Sequence, residues 1–98
     1  DNFVFEGFLP VKKGRKTKLE SLRTEPRTII LYESPHRIVR TLTDIFTYFG
    51  NRQIVVAREM TKKFEEVIRG TVPSVLQNIS SKPAKGEYVL VIEGFQEE

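Results

Sequence analysis

The sequence contains no cysteine and a single histidine, His36. A disulfide framework and a thiolate metal site are therefore excluded, and a histidine-rich metal site as well. No metal ligand set is expected. No apolar run approaches the about 20 residues needed to cross a bilayer. The first residues, Asp1-Asn2-Phe3-Val4-Phe5, lack the basic-then-apolar layout of a secretion signal. The cytoplasm is the simplest compartment these absences allow. The chain also lacks an initiator Met and opens in what reads as a strand, so it is expected to be part of a longer protein.

What remains is a globular composition. The 98 residues fit one domain, and 39% of them are hydrophobic, with seven Phe and three Tyr as bulky core material. That composition argues against disorder. Net charge is only +3, but its distribution is uneven. Residues 12 to 27 hold Lys12, Lys13, Arg15, Lys16, Lys18, Arg23 and Arg27 against Glu20 and Glu25 alone. Such a local excess attracts polyanions, RNA among them. The plain alternative is a solvated helix face.

Phe3 to Phe8 reads as a strand, closed by Pro10 and Gly14. Residues 15 to 24 read as a short helix, with Leu19 and Leu22 inward and the basic residues outward. Thr28 to Tyr32 is a continuous, β-branched apolar run, as a buried central strand requires. Ser34 is then expected to cap a helix that has Pro35 in its first turn. Ile38, Leu42, Ile45 and Phe49 recur at helical spacing, and Gly50 supplies a stop. Gln53 to Ala57 and Tyr88 to Ile92 are further buried strands. Phe64 to Arg69 is more polar and belongs nearer an edge. Thr71 caps a short helix running to Ser80, with Val75, Leu76 and Ile79 on its apolar side. The order β-α-β-α-β-β-α-β predicts an α/β domain, a mixed five- to six-stranded sheet flanked by about three helices. The strand-helix-strand unit from 28 to 57 should yield two parallel strands with a right-handed crossover.

In open α/β sheets, ligands gather beyond the carboxyl ends of parallel strands. Here those ends are Glu33-Ser34-Pro35-His36-Arg37 and Arg58-Glu59-Met60-Thr61-Lys62-Lys63. Parallel strands would put Glu33, Arg37, Arg58, Glu59 and Lys62 on one rim, with or without another strand between. Arg37 falls near the third position of its helix, where a cation opposes the helix dipole. A salt bridge to Glu33 or Glu59, or contact with an anionic ligand or an RNA phosphate, would offset that. His36 has the titration range of a general base but no evident carboxylate to orient it. Glu65 and Glu66 are strand neighbours and point to opposite faces. There is no phosphate-cradling glycine loop and no nucleophile triad.

Several phrases resemble one family. They are Phe5-Glu6-Gly7-Phe8-Leu9-Pro10 with the lysine-rich stretch after it, Tyr32-Glu33-Ser34-Pro35-His36-Arg37, and Ala57-Arg58-Glu59-Met60-Thr61-Lys62-Lys63. Glu65-Glu66 with Arg69-Gly70-Thr71, and Lys85-Gly86-Glu87-Tyr88-Val89, complete the set. Together, in order and over essentially the whole chain, they are similar to the C-terminal half of the ribosomal RNA small subunit methyltransferase I group of the tetrapyrrole methylase superfamily. The resemblance implies an S-adenosylmethionine-dependent enzyme acting on the ribose 2′-hydroxyl of a cytidine in small-subunit ribosomal RNA. It implies two α/β domains with the cofactor between them, a homodimer, and an N-terminal domain missing here, so that this chain alone would be inactive.

By position, the resemblance assigns Leu31, Tyr32, Glu33, Ser34, Ala57, Arg58 and Glu59 to the cofactor side. Lys12, Lys13, Arg15 and Lys16 would hold the RNA backbone, and Arg37, Lys62 and Lys63 would bind RNA phosphate or order the rim. Glu33, Glu59 or Lys62 could take the ribose proton, Lys62 only with a lowered pKa. The phrases could instead make a salt-bridged domain interface. Other readings are a non-catalytic RNA-binding module and a related methylase acting on a tetrapyrrole or a translation factor.

Overall fold

The computed structural model describes residues 2–61 and 64–97, and the side chains of 60, 61, 64 and 65 are left out of that description. Its elements follow the expected order: β1 Phe3–Phe8, α1 Arg15–Leu22, β2 Thr28–Glu33, α2 Ile38–Phe49, β3 Gln53–Thr61, β4 Phe64–Thr71, α3 Val72–Ser80 and β5 Glu87–Ile92. The five strands form one mixed sheet in the order β1-β2-β5-β3-β4.

β1 and β2 pair in parallel, as neighbours joined through α1. β5 pairs antiparallel with both β2 and β3. β2 and β3 therefore run in the same direction, as their strand-helix-strand unit requires, but with β5 between them. The polar strand β4 pairs antiparallel with β3 alone and forms an edge.

Side chains alternate between the two faces of this sheet, apart from register shifts in β1 and β3. Ile29, Leu31, Ile54, Val56, Leu90 and Ile92 are buried on one face. They meet Leu19 and Leu22 of α1, Ile38, Leu42 and Ile45 of α2, and Val72, Val75 and Ile79 of α3 in one core. Each such side chain contributes about 1.5–3 kcal/mol on full burial. The other face is uncovered among the described residues. Register aligns Phe5, Ile30, Val91, Val55 and Arg69 in one row across it, and Phe8, Tyr32, Val89, Ala57 and Val67 in the next. Phe8 reaches this face through a bulge. The register shifts between Phe5 and Gly7, and Gly7 takes φ 68°, a conformation open to glycine. Without the extra residue Phe8 would point to the helices.

Two local expectations fail. Ser34 does not cap α2. The Ser34 carbonyl instead accepts from the Arg37 amide at 3.1 Å, closing a turn with Pro35 at its second position. The helix starts at Ile38 with Arg37 as its uncapped N-cap. The Glu33 carboxylate has taken the Ser34 amide at 2.9 Å, which ties Ser34 to the strand end. Arg15 also departs from the outward orientation expected of α1 and is buried, only 5% exposed. Thr71 does cap α3, accepting from the Ser74 amide at 3.3 Å.

Candidate functional site

The carboxyl ends of β2 and β3 lie at the same end of the sheet, and β5 connects them residue by residue. Glu33 pairs with Tyr88, Tyr88 with Arg58, and Arg58 with Glu66. Glu33, Tyr88 and Arg58 are buried. One polar row thus crosses four strands on the helix-covered face, next to rows of pure hydrocarbon.

Glu33 is 2% exposed and saturated with donors. Its Oε1 accepts from the Thr41 hydroxyl, and its Oε2 from the Ser34 amide and, at 3.3 Å, from Arg37 Nε. The Arg37 cation near the start of α2 is therefore balanced by Glu33, one of the two carboxylates the sequence offered. Thr41 in turn accepts from Arg15 Nη2 at 3.0 Å. The remaining Arg15 contacts are Nε to Asp44 at 2.9 Å and Nη1 to the Pro10 carbonyl at 3.0 Å. Arg15 was grouped by sequence with the RNA-contacting cations, but its guanidinium is internal and committed to these three partners.

At the other end of the row, Arg58 pairs with Glu66, which also holds Lys82 at 2.7 Å. The Lys82 hydrogen bond, joined by Arg58, keeps the Glu66 carboxyl below the ordinary carboxylate range. Ser34 Oγ and Arg58 Nε are buried without a hydrogen-bond partner among the described residues. Buried polar atoms left in this state are uncommon, and Tyr88 Oη, on the strand between, is a third.

On the uncovered side of the same rim lies a cavity of about 400 Å³, lined by Phe8, Tyr32, Glu59, Glu87, Tyr88 and Val89. Tyr32 anchors its aromatic wall. Its ring meets Phe8 edge-on with centroids 5.6 Å apart, and Phe5 edge-on at 5.2 Å. Glu59 and Glu87 are cross-strand partners and both line the cavity. Like charges directly opposite are unfavourable in a sheet, so the cavity favours a cationic or hydroxyl-bearing occupant.

The sequence-derived site residues divide accordingly. Tyr32 and Glu59 share the cavity, and Ala57 sits in the adjoining open-face row. Leu31 is a core residue, Glu33 and Arg58 belong to the buried polar row, and Ser34 is in the connecting turn. His36 is exposed and makes no side-chain hydrogen bond among the described residues. Lys62 and Lys63 lie outside the described residues, and so does the Glu65 side chain. Phe8, Glu87 and Tyr88 stand within the family-like phrases without an expected site role, and Thr41 stands outside them. Thr41 had a signal, since it stands on the apolar stripe between Ile38 and Ile45 and is itself fully buried.

The basic stretch is also sorted. Arg15, Lys18 and Arg27 have carboxylate partners, Asp44, Glu6 and Glu25. Lys12, Lys13, Lys16 and Arg23 are exposed and have none among the described residues. No helix among the described residues is long and apolar enough to cross a membrane.

No family model matches the sequence. Curated relatives do. A ribosomal RNA small subunit methyltransferase I of Synechocystis sp. is 50% identical over 96 residues, covering 96% of this chain and 34% of the relative. The Thermotoga maritima protein of the same name is 44% identical over 92 residues, covering 94% of this chain and 41% of the relative. That of Bacillus subtilis is 45% identical over 97 residues, covering 98% and 33%. The chain thus spans 33 to 41% of the length of these relatives. Among solved structures, a cobalamin biosynthetic enzyme, cobalt precorrin-4 methyltransferase, superposes with a TM-score of 0.66 at 18% identity, over 93% of this chain and 39% of that one. That likeness is one of fold alone, an α/β fold. Over nearly its whole length, the chain is similar in sequence to a segment of ribosomal RNA small subunit methyltransferase I proteins, a segment that makes up 33 to 41% of their length.

Proposed function

We propose that the chain is the C-terminal domain of a two-domain, S-adenosylmethionine-dependent enzyme that methylates the ribose 2′-hydroxyl of a cytidine in small-subunit ribosomal RNA. The observation that carries this reading is the rim cavity. Its aromatic wall suits an adenine ring, and its two carboxylates suit ribose hydroxyls and a sulfonium or ammonium charge. Tyr32, Glu59 and Glu87, with Phe8, would hold that cofactor from this side, and the missing N-terminal domain would hold it from the other. When bound, the cofactor supplies an electrophilic methyl group.

The chain's own part is to hold the reactants in line and take a proton. Glu59 is the better-placed acceptor, being exposed and in the cavity. Glu33 has both oxygens occupied and is shut away from any substrate. Lys12, Lys13 and Lys16 supply unpaired charge for the RNA backbone, which sets affinity and register rather than sequence choice. An RNA substrate of this kind places the protein in the cytoplasm. The chain alone would be inactive, for want of the other side of the cofactor site.

A homodimer of the full-length protein fits the uncovered sheet face. Phe3, Phe5, Phe8, Tyr32 and Val67 remain 39 to 57% exposed. Monomers rarely leave so extended an apolar surface bare. The aromatic ridge lies along β1 and β2, and the smaller Val55, Ala57 and Val67 lie along β3 and β4. A two-fold axis along β5 would set the ridge of one copy over the shallower half of the other.

The deciding experiment is methyl transfer from labelled S-adenosylmethionine to small-subunit ribosomal RNA by the intact protein carrying this segment. Label in a cytidine 2′-O-methyl group is expected, and no transfer to that RNA would refute the reading. Sedimentation of the same protein should show a dimer that Phe3→Glu with Phe5→Glu dissociates.

A further inference from the structure

A second concavity, of about 260 Å³, lies between α1 and α2, apart from the rim cavity. Its lining includes Lys12, Arg15, Lys16, Arg40, Asp44 and Tyr48. Asp44 is the one carboxylate among its lining residues, and Arg15 Nε neutralises it at 2.9 Å. Lys12, Lys16 and Arg40 are exposed around the opening and have no carboxylate partner among the described residues. Arg40 is not loose. Its Nη2 donates to the Val11 carbonyl at 2.8 Å, across 29 residues of sequence, which fastens the lysine loop to α2.

We infer that this cleft is a seat for a single phosphodiester of the RNA backbone, gripped by Lys12, Lys16 and Arg40. The inference rests on the RNA-methyltransferase reading above and narrows it from a basic stretch to three residues, one of them outside that stretch. Three uncompensated cations converging on one concavity cost self-repulsion when empty, and an anion relieves it. An Arg offers a planar fork to phosphate oxygens, and two lysines offer point charges.

The floor of the seat is Arg15, the same guanidinium that reaches Glu33 through Thr41. Every link of that path is buried or half-buried, from Asp44 through Arg15 and Thr41 to Glu33 and Arg37. The seat therefore stands at a set position relative to the rim. A phosphate held there fixes which ribose along the strand is presented to the cavity, as a positioning contact does.

The test uses the chain with a short single-stranded RNA, a DNA of the same sequence, and inorganic phosphate. Affinity is measured by fluorescence anisotropy across salt concentrations, and contacts by amide and arginine Nε–H resonances. RNA and DNA should both shift the Arg40 Nε–H and the Lys12 and Lys16 amides, because the seat reads phosphate. Inorganic phosphate should shift the same signals at higher concentration. Replacing Lys12, Lys16 and Arg40 by Gln together should lower RNA affinity at least tenfold. It should also flatten the log–log salt slope by about 0.7, the value for one lost phosphate contact on a single strand. Lys85→Gln, at a residue that does not line the cleft, should change neither. If the unaltered chain binds RNA but the triple variant keeps its affinity and slope, the seat is wrong and the RNA reading stands. If the unaltered chain binds no RNA, the seat falls, and methyl transfer by the intact protein decides the RNA reading.

Discussion

Arg15 and Glu33 meet on a single hydroxyl. Arg15 donates to Thr41 Oγ1 at 3.0 Å, and Thr41 donates onward to Glu33. Neither charge touches the other, yet each is buried and depends on the same group. Thr41→Val keeps the shape and removes both bonds. It should cost about 2–4 kcal/mol, because a buried carboxylate and a buried guanidinium each lose a partner. Thr41→Ser keeps the hydroxyl and should lose less than about half of that. Urea unfolding midpoints compare the three. A Val variant within about 0.5 kcal/mol of the parent would mean that the path carries no structural weight.

Two glycines should respond to the same substitution for different reasons. A Cβ at Gly94 would lie 2.1 Å from the Pro26 carbonyl oxygen and 2.7 Å from that of Arg27. These are backbone atoms, and the adjoining Phe95 amide bonds Glu25 O at 2.8 Å, so neither side can retreat cheaply. Gly94→Ala should destabilise by about 3 kcal/mol. At Gly50 a Cβ meets nothing within 4 Å, but φ is 80°. Gly50→Ala should cost about 1–2 kcal/mol through backbone strain alone. Thermal or urea unfolding checks the order. Equal losses at the two sites would contradict the close packing at Gly94.

The strands and α2 and α3 were legible because their periods, two and 3.6, are local signals. The position of β5 was not. Its insertion between β2 and β3 is a pairing choice across the whole chain, and no spacing in the sequence encodes it. The start of α2 was misread because Ser34 carries the composition of a cap. The turn that displaces the helix start, closed between the Ser34 carbonyl and the Arg37 amide, is a backbone arrangement that residue type alone does not specify. Arg15 was misplaced by residue type. Its spacing from Leu19 and Leu22, four and seven residues, put it on the apolar stripe all along. The rim was half legible. Strand direction predicted that Glu33 and Arg58 would share an end, but Tyr88 as the residue between them required the register.

Acid should weaken the fold through Glu25 and Glu66. Hydrogen bonds from Arg27 hold the Glu25 carboxyl down to about 2, from an ordinary 4.5. Glu66 is lowered by Lys82 and Arg58. In both, the folded pKa lies below the unfolded one, so the unfolded chain takes up protons first as pH falls. Stability from these pairs is whole above about 4.5 and declines below it, for Glu25 until about 2. Both groups are near the surface, so the loss should be gradual and smaller at high salt. Carboxyl-carbon NMR titration reads each site. Arg27→Gln should return Glu25 to the ordinary range, and Lys82→Gln should raise Glu66. A Glu25 midpoint near 4.5 in the unaltered chain would overturn the assignment.

The two rim carboxylates should fail in different ways when made neutral. Glu33→Gln keeps the volume but replaces an acceptor of three bonds by an amide with donors of its own. One of those donors would face Thr41, Ser34 or Arg37, and the fold should lose about 2–4 kcal/mol. Methyl transfer by the intact protein should then fall in step with the folded fraction and recover where stability is restored. Glu59→Gln touches no buried network, so unfolding should move by less than about 0.5 kcal/mol. If Glu59 accepts the ribose proton, kcat should drop by about 10²–10⁴ with RNA affinity intact, and the acidic limb of the pH–rate profile should vanish. Measuring stability, RNA binding and the pH profile on both variants separates a structural carboxylate from a catalytic one. A Glu59→Gln enzyme with unchanged kcat and an unchanged acidic limb would remove Glu59 from the chemistry and move the base to the other domain.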